Sequence, residues 1–138
     1  MATESDFPQS EHVARYQASD GREGGSWRGA PALLITTTGR KSGQPRTNPL
    51  VYGRDGDRYV LVASKGGAPT HPAWYLNLCA NPEVRVQVMA DKFRARARTA
   101  TANEKPRLWK LMTSIRPGYD EYQAKTDRDI PVVILERI

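Results

Sequence analysis

Arg40, Lys41 and Arg46 bring three cations into one short stretch that Gly39, Gly43 and Pro45 punctuate. A phosphate is held by two or three converging cations together with backbone N–H groups that no neighbour uses. A glycine-bounded turn between strands exposes such N–H groups, so this loop, with Ser42, is a candidate anion cradle. A solvated basic hairpin has the same composition, and residue types alone do not separate the two.

A second group is Ala63-Ser64-Lys65-Gly66-Gly67. Paired glycines let a backbone approach a flat ligand closely. Ser64 can donate or accept a hydrogen bond, and Lys65 adds charge. An ordinary flexible loop reads the same way. The Gly-X-X-X-X-Gly-Lys-Ser/Thr spacing of nucleotide phosphate loops is absent. Trp74, Tyr75 and Asn77 lie just beyond and offer an aromatic pair and an amide to a flat cofactor, although Trp74 is equally a core residue. Tyr119 and Tyr122 are three apart and share a helical face, from which they can stack on a substrate, protonate it, or simply face solvent. His12 and His71 lack partners at useful spacing and are assigned to neither catalysis nor metal. Cys79 is expected to be packed. No Ser-His-Asp order and no paired-carboxylate motif supports hydrolysis.

The elements that must position these groups follow from periodicity and punctuation. Residues 1–9 are polar and read as unstructured. Residues 10–19 read as a short helix capped by Ser10, with Val13 and Tyr16 on one side. Residues 32–38 form an apolar, β-branched run, a buried strand, and 46–54 its partner across the basic loop. Asp55-Gly56 turns the chain into a third strand, 58–64. Residues 71–80 read as a helix with Pro72 early, stopped by Asn81-Pro82. Residues 83–89 and 92–98 alternate strictly: Val84, Val86 and Val88 share one face, and Phe93, Ala95 and Ala97 oppose Arg94, Arg96 and Arg98. That pattern predicts half-exposed antiparallel strands, and the alanines predict a tight wall. Residues 101–115 place Leu108, Leu111, Met112 and Ile115 at helical spacing. After Pro117-Gly118, residues 119–125 add a further turn or two. Residues 130–138 close the chain as a buried central strand. About six antiparallel strands and three or four helices predict a small barrel decorated by helices.

Composition sets the outer bounds. A chain of 138 residues, 38% apolar and 26% charged, suits one folded unit with its own core. The net charge of +6 favours an anionic partner without choosing among nucleic acid, membrane surface and small molecule. No apolar run approaches the roughly 20 residues that span a bilayer. The first ten residues lack the apolar core of a secretory signal, and Cys79 is the single cysteine, so a cytoplasmic setting is expected.

The runs LLITTTGRKSGQPRTNP (33–49), YVLVASKGGAP (59–69), HPAWYLNLCANPEVRVQV (71–88) and PGYDEYQAKTDRDIP (117–131) together resemble the deazaflavin-dependent nitroreductase family. The family is typical of mycobacteria and other actinobacteria. The resemblance implies a mainly β fold with helices, an antiparallel split β-barrel of the FMN-binding kind over 27–138, preceded by a segment, 1–26, with a short helix. It implies coenzyme F420, a 5-deazaflavin bearing a phosphate and an oligoglutamate tail, used in its reduced form F420H2. On this reading Arg40, Lys41 and Ser42 meet the phosphate and acidic tail. Arg46, Thr47, Asn48, Pro49, Leu50 and Val51 run along the cofactor. Val62, Ala63, Ser64, Lys65 and Gly67 follow the ring and linker. Ala73, Trp74, Tyr75, Leu76 and Asn77 wall the same site. Tyr119 and Tyr122 match tyrosines near the substrate pocket, Tyr119 also bordering the cofactor, and with Ser64 they are the candidates for orienting and protonating substrate. No metal is implied.

Val51, Ala73 and Arg116 stand where the family's best-known member has tyrosine, methionine and tyrosine, so the pocket should differ from that member's. The implied activity is hydride transfer to an electrophilic small molecule: an activated alkene, a quinone or a nitroaromatic. The resemblance leaves room for a homodimer, and the short polar N-terminus argues against membrane attachment. Three other readings remain at this stage. They are an FMN-dependent split-barrel oxidoreductase, a cofactor carrier without turnover, and a basic barrel that binds RNA. The last is disfavoured because strand 92–98 carries only Phe93, on the face opposite its arginines.

Overall fold

The computed structural model describes residues 9–27 and 29–138. Residues 1–8, part of the stretch read above as unstructured, lie outside the described residues. The chain runs through α1 (Gln9–Ser19), β1 (Ser26–Trp27), β2 (Ala30–Thr38), β3 (Pro45–Val51), β4 (Gly53–Asp55) and β5 (Arg58–Val62). A 3-10 turn (Lys65–Gly67) leads to α2 (Ala73–Ala80), then β6 (Glu83–Val88) and β7 (Asp91–Thr99). Helices α3 (Lys105–Ile115) and α4 (Gly118–Ala124) precede the closing strand β8 (Val132–Arg137). Every strand pairing is antiparallel.

The sheet runs β1-β2-β6-β7-β8-β5-β4, with β3 also paired to β2. Strand β4 ends this order and follows β3, the partner of β2, directly in the chain through Tyr52, so the sheet curls back on itself as a split barrel. The sequence predicted one strand over 46–54. It is instead broken, because the backbone changes partner there. The Tyr52 N–H still donates to Pro31 O (3.1 Å), but Gly53 already pairs with Val60 of β5. With the short β1, this raises the expected six strands to eight.

Two cores share the wall made by β5 and β8. Leu61 and Ala63 with Val133 and Leu135 face the barrel interior, beside Leu33, Ile35, Val84, Val86, Ala95 and Ala97. Val60 and Val62 with Val132 and Ile134 face outward under Leu108 and Met112 of α3 and Tyr119 of α4. That explains why 132–135 is continuously apolar: both faces are covered. The alanines of β7 form the tight wall expected of them, with Ala95 and Ala97 both buried.

Helix α3 begins in regular form at Lys105 rather than at Thr101. Residues 101–104 form its capping turn: Thr101 N–H donates to Glu104 Oε1 (2.9 Å), and Glu104 N–H donates to Thr101 Oγ1 (3.3 Å). Helix α1 buries His12 and Tyr16, while Val13 is half-buried. The Tyr16 hydroxyl lies 3.0 Å from Ala32 O and 3.2 Å from Gln87 O and accepts from Met89 N–H at 2.8 Å. One phenol therefore staples this weakly amphipathic helix to β2 and β6. Cys79, expected to be packed, is exposed at the solvent side of α2.

Candidate active site

The basic loop is a hairpin tip held by its own backbone. Gly39 N–H donates to Gln44 O and Gly43 N–H to Gly39 O, both at 2.8 Å, while Gln44 N–H donates to Ser42 Oγ (3.1 Å). Gly43 has φ +70°, a conformation costly for other residues. Asn77 of α2 is buried and grips the loop from below. Its Oδ1 accepts from Arg40 N–H (3.1 Å) and Arg40 Nη1 (3.0 Å), and its Nδ2 donates to Thr37 Oγ1 (3.2 Å). Arg40 is thereby tied to the scaffold. Lys41 and Arg46 are exposed and pair with no carboxylate among the described residues. Together with Thr47 and Asn48 they line a cavity of about 340 Å³.

This cavity adjoins a larger one of about 560 Å³, the two sharing Gln9, Asn48, Ala73 and Trp74. Strand β3 gives the larger cavity one wall, Asn48 to Val51, and Val62 with Ser64, Lys65 and Gly66 gives it another. Pro72 and Ala73 close it at the start of α2, and Gln9 and His12 contribute from α1. Its far end holds Trp27, Arg116, Tyr119 and Tyr122. The combined shape is a groove, cationic at one end and aromatic at the other.

The loop bearing Ser64 and Lys65 is fixed by Arg128. That guanidinium donates to Ala68 O (2.8 Å), Ala63 O (3.1 Å) and Ser64 O (2.6 Å), and its Nη1 lies 3.0 Å from His71 Nδ1. Since arginine can only donate, Nδ1 of His71 accepts and the imidazole is neutral. Burial, aided by the Arg128 charge, lowers the His71 pKa in the same sense. Gly67 has φ +83°, and a Cβ there would lie 2.7 Å from the carbonyl oxygen of Tyr122. Loop and α4 approach so closely that only glycine fits.

At the aromatic end, the Arg116 guanidinium carbon lies 3.7 Å from the centre of the Trp27 ring, and its Nη2 donates to the Tyr122 hydroxyl at 2.6 Å. Tyr119 meets Tyr122 edge-on at 6.2 Å. Burial pushes the Tyr119 phenol up to about 12, against the opposing charge of Arg116. Its hydroxyl therefore stays protonated throughout the neutral range and bonds to no described residue.

Most residues singled out from the sequence converge on this groove. Asn48, Pro49, Leu50, Val51, Val62, Ser64, Lys65, Ala73, Trp74, Tyr119 and Tyr122 line the larger cavity. Arg40, Lys41, Ser42, Arg46, Thr47 and Asn77 line the smaller. Four do not line either. Ala63 points into the barrel core, and Gly67 packs under α4. Tyr75 turns away to Thr99, its hydroxyl 2.7 Å from Thr99 Oγ1. Leu76 is half-buried outside both cavities. Sequence reading had not selected Gln9, His12, Trp27 or Arg128. Trp27, a lone aromatic after a glycine-rich loop, carried a signal; Arg128 carried none, because its carbonyl partners are distant in the chain.

A split barrel with one elongated groove, cationic at one end and aromatic at the other, is a scaffold of the class that holds flat cofactors such as flavins and deazaflavins. Within that class the chain belongs to the F420H(2)-dependent quinone reductase family, whose profile matches residues 9–137. It is 45% identical over 130 residues to an F420H(2)-dependent quinone reductase of Mycobacterium tuberculosis, covering 91% of this chain and 87% of that protein. Among solved structures it resembles an F420-H2-dependent reductase, FDR-A, at 48% identity and TM-score 0.71, covering 77% of this chain and 94% of that one. It also resembles a domain-swapped dimer at 41% identity and TM-score 0.74, covering 92% of this chain and 96% of that one. The family resemblance and split-barrel fold read from the sequence are both upheld. No described helix is long and apolar enough to cross a membrane.

Proposed function

We propose that this protein is a reductase that passes hydride from F420H2 to an electrophilic small molecule, with quinones the first class to test and activated alkenes and nitroaromatics next. The observation that carries the reading is the adjacency of the two cavities, one holding Lys41 and Arg46, which pair with no described carboxylate, and one walled by Pro49, Leu50, Val51 and Trp74, in a chain so similar to quinone reductases using this cofactor. A cofactor that is flat at one end and polyanionic at the other fits such a groove. The larger cavity has the volume of small-ligand sites generally.

In this reading Lys41 and Arg46 bind the phosphate and acidic tail, with the Ser42 hydroxyl beside them, while Arg40, held by Asn77, shapes the loop. Asn48, Pro49, Leu50, Val51 and Val62 would hold the ring along the wall of the larger cavity. The Ser64–Gly66 backbone and Lys65 favour negative charge on the ring. When bound, the reduced deazaflavin supplies the hydride. Tyr119 holds a proton near the acceptor, and Ser64 orients the acceptor. The protein thus supplies binding, orientation and charge. A cytoplasmic setting and a homodimer belong to the same reading, the dimer supported by the swapped relative.

The test is a paired titration. The purified protein is titrated with F420 and with FMN, following ring fluorescence, and F420H2 oxidation is then followed at the deazaflavin absorbance with benzoquinone and naphthoquinone acceptors. Saturable F420 binding and quinone-dependent oxidation are expected. Saturable FMN binding with no F420 binding would overturn the reading.

A further inference from the structure

We infer that Arg116 is an anion-recognising, specificity-determining residue at the acceptor end, so that the preferred acceptors are quinone-type electrophiles bearing a carboxylate. The inference rests on the reductase reading above and deepens it.

Among the described residues the larger cavity is lined by no acidic residue and by two cations, Lys65 and Arg116. They sit in different places. Lys65 belongs to the loop that follows β5, whereas Arg116 caps α3 and stands with Trp27, Tyr119 and Tyr122. None of those four lines the smaller cationic cavity, and no residue of the basic loop lines the larger one. The Arg116 charge is therefore at the end opposite the proposed phosphate cations.

It is also pre-organised. The guanidinium carbon sits 3.7 Å from the centre of the Trp27 ring, and one N–H is spent on the Tyr122 hydroxyl. The ring contact and the hydrogen bond restrain the group, and no described carboxylate pairs with Arg116, so its remaining N–H donors are available. An edge of guanidinium N–H groups beside an apolar aromatic wall matches a planar acceptor that ends in a carboxylate, which it can bind bidentately. A neutral acceptor would leave that charge without a counterpart in a partly dehydrated pocket, a cost that separates the two substrate types.

The experiment compares 1,4-naphthoquinone-2-carboxylate with its methyl ester in wild type, Arg116→Gln and Arg116→Lys. Three quantities are read: kcat/KM for each acceptor with F420H2, binding of each acceptor by tryptophan fluorescence quenching, and F420 affinity. Wild type should prefer the carboxylate. In Arg116→Gln the carboxylate-to-ester ratio should fall about tenfold in both kcat/KM and binding, the loss of one charge-assisted contact. Arg116→Lys should restore part of it, and F420 affinity should change less than twofold. An unchanged ratio, an equal loss for both acceptors, or a drop in F420 affinity would each overturn the inference. The reductase reading fails separately, if wild type neither binds F420 nor oxidises F420H2 with either acceptor.

Discussion

The two ends of the groove are built on opposite plans. The cationic end is local: Arg40, Lys41, Ser42 and Arg46 sit within one hairpin tip, closed by its own short-range hydrogen bonds, with Asn77 the distant clamp. The aromatic end is assembled from far apart: Trp27 from β1, Arg116 after α3, Tyr119 and Tyr122 from α4. Its geometry depends on α4 resting against the 3-10 turn at Gly67. On the proposed reading the local device grips the anionic part of the cofactor and the tertiary device meets the acceptor.

The largest expected effect falls on the assembled end. Gly67→Val combines a positive φ with a collision against the Tyr122 backbone. It should destabilise the protein by about 3 kcal/mol and lower the melting temperature by about 10 °C. Urea unfolding gives the value, and a loss below 1 kcal/mol would show that α4 does not depend on this approach.

Next is a pH effect. The folded Tyr119 pKa lies near 12, above its ordinary 10.0, because burial disfavours the phenolate. Below pH 10 both folded and unfolded chains carry the proton and nothing is lost. Between pH 10 and 12 the unfolded chain releases it first, so stability falls as pH rises, by roughly 2–3 kcal/mol for this group. Burial raises Tyr16, Tyr52 and Tyr75 in the same direction. Tyr119→Phe should flatten part of the alkaline limb, and an unaltered limb would contradict the assignment.

The same substitution sharpens the functional contrast. Tyr119→Phe should lower kcat about tenfold or more while leaving F420 affinity alone, as expected of a proton donor at the acceptor end. Equal losses of both would place Tyr119 on the cofactor instead. The smallest effect is Gly43→Ala in the local device. A Cβ there meets nothing within 4 Å, so only the φ of +70° is at issue. About 1 kcal/mol of stability should be lost, with cofactor affinity little changed.

This contrast also explains what the sequence revealed. The cation loop, the β6–β7 alternation and the continuous apolar run of β8 are periodic or local, and all three are legible in the chain. The break at Tyr52 was not, because it follows from a change of partner strand. Ala63 was assigned to the site from its neighbours, yet strand alternation turns its side chain into the core while Val62 faces the groove. Tyr75 was similarly displaced by helical rotation, with Trp74 facing the groove and Tyr75 reaching Thr99. Arg128 escaped notice because nothing in its own vicinity marks it. Its function comes from three carbonyls and His71, all contributed by residues 63–71.

The central claim is that the groove has a charge-gripping end distinct from its ring-holding end. It is tested most directly by measuring the affinity of wild type and of the Lys41→Ala/Arg46→Ala double variant for F420 and for its deazaflavin chromophore lacking the phosphate and glutamates. Wild type should bind the complete cofactor far more tightly. The double variant should lose at least about tenfold for F420 and little for the bare chromophore, consistent with loss of charge-assisted contacts. Equal affinity of variant and wild type for F420 would contradict the account.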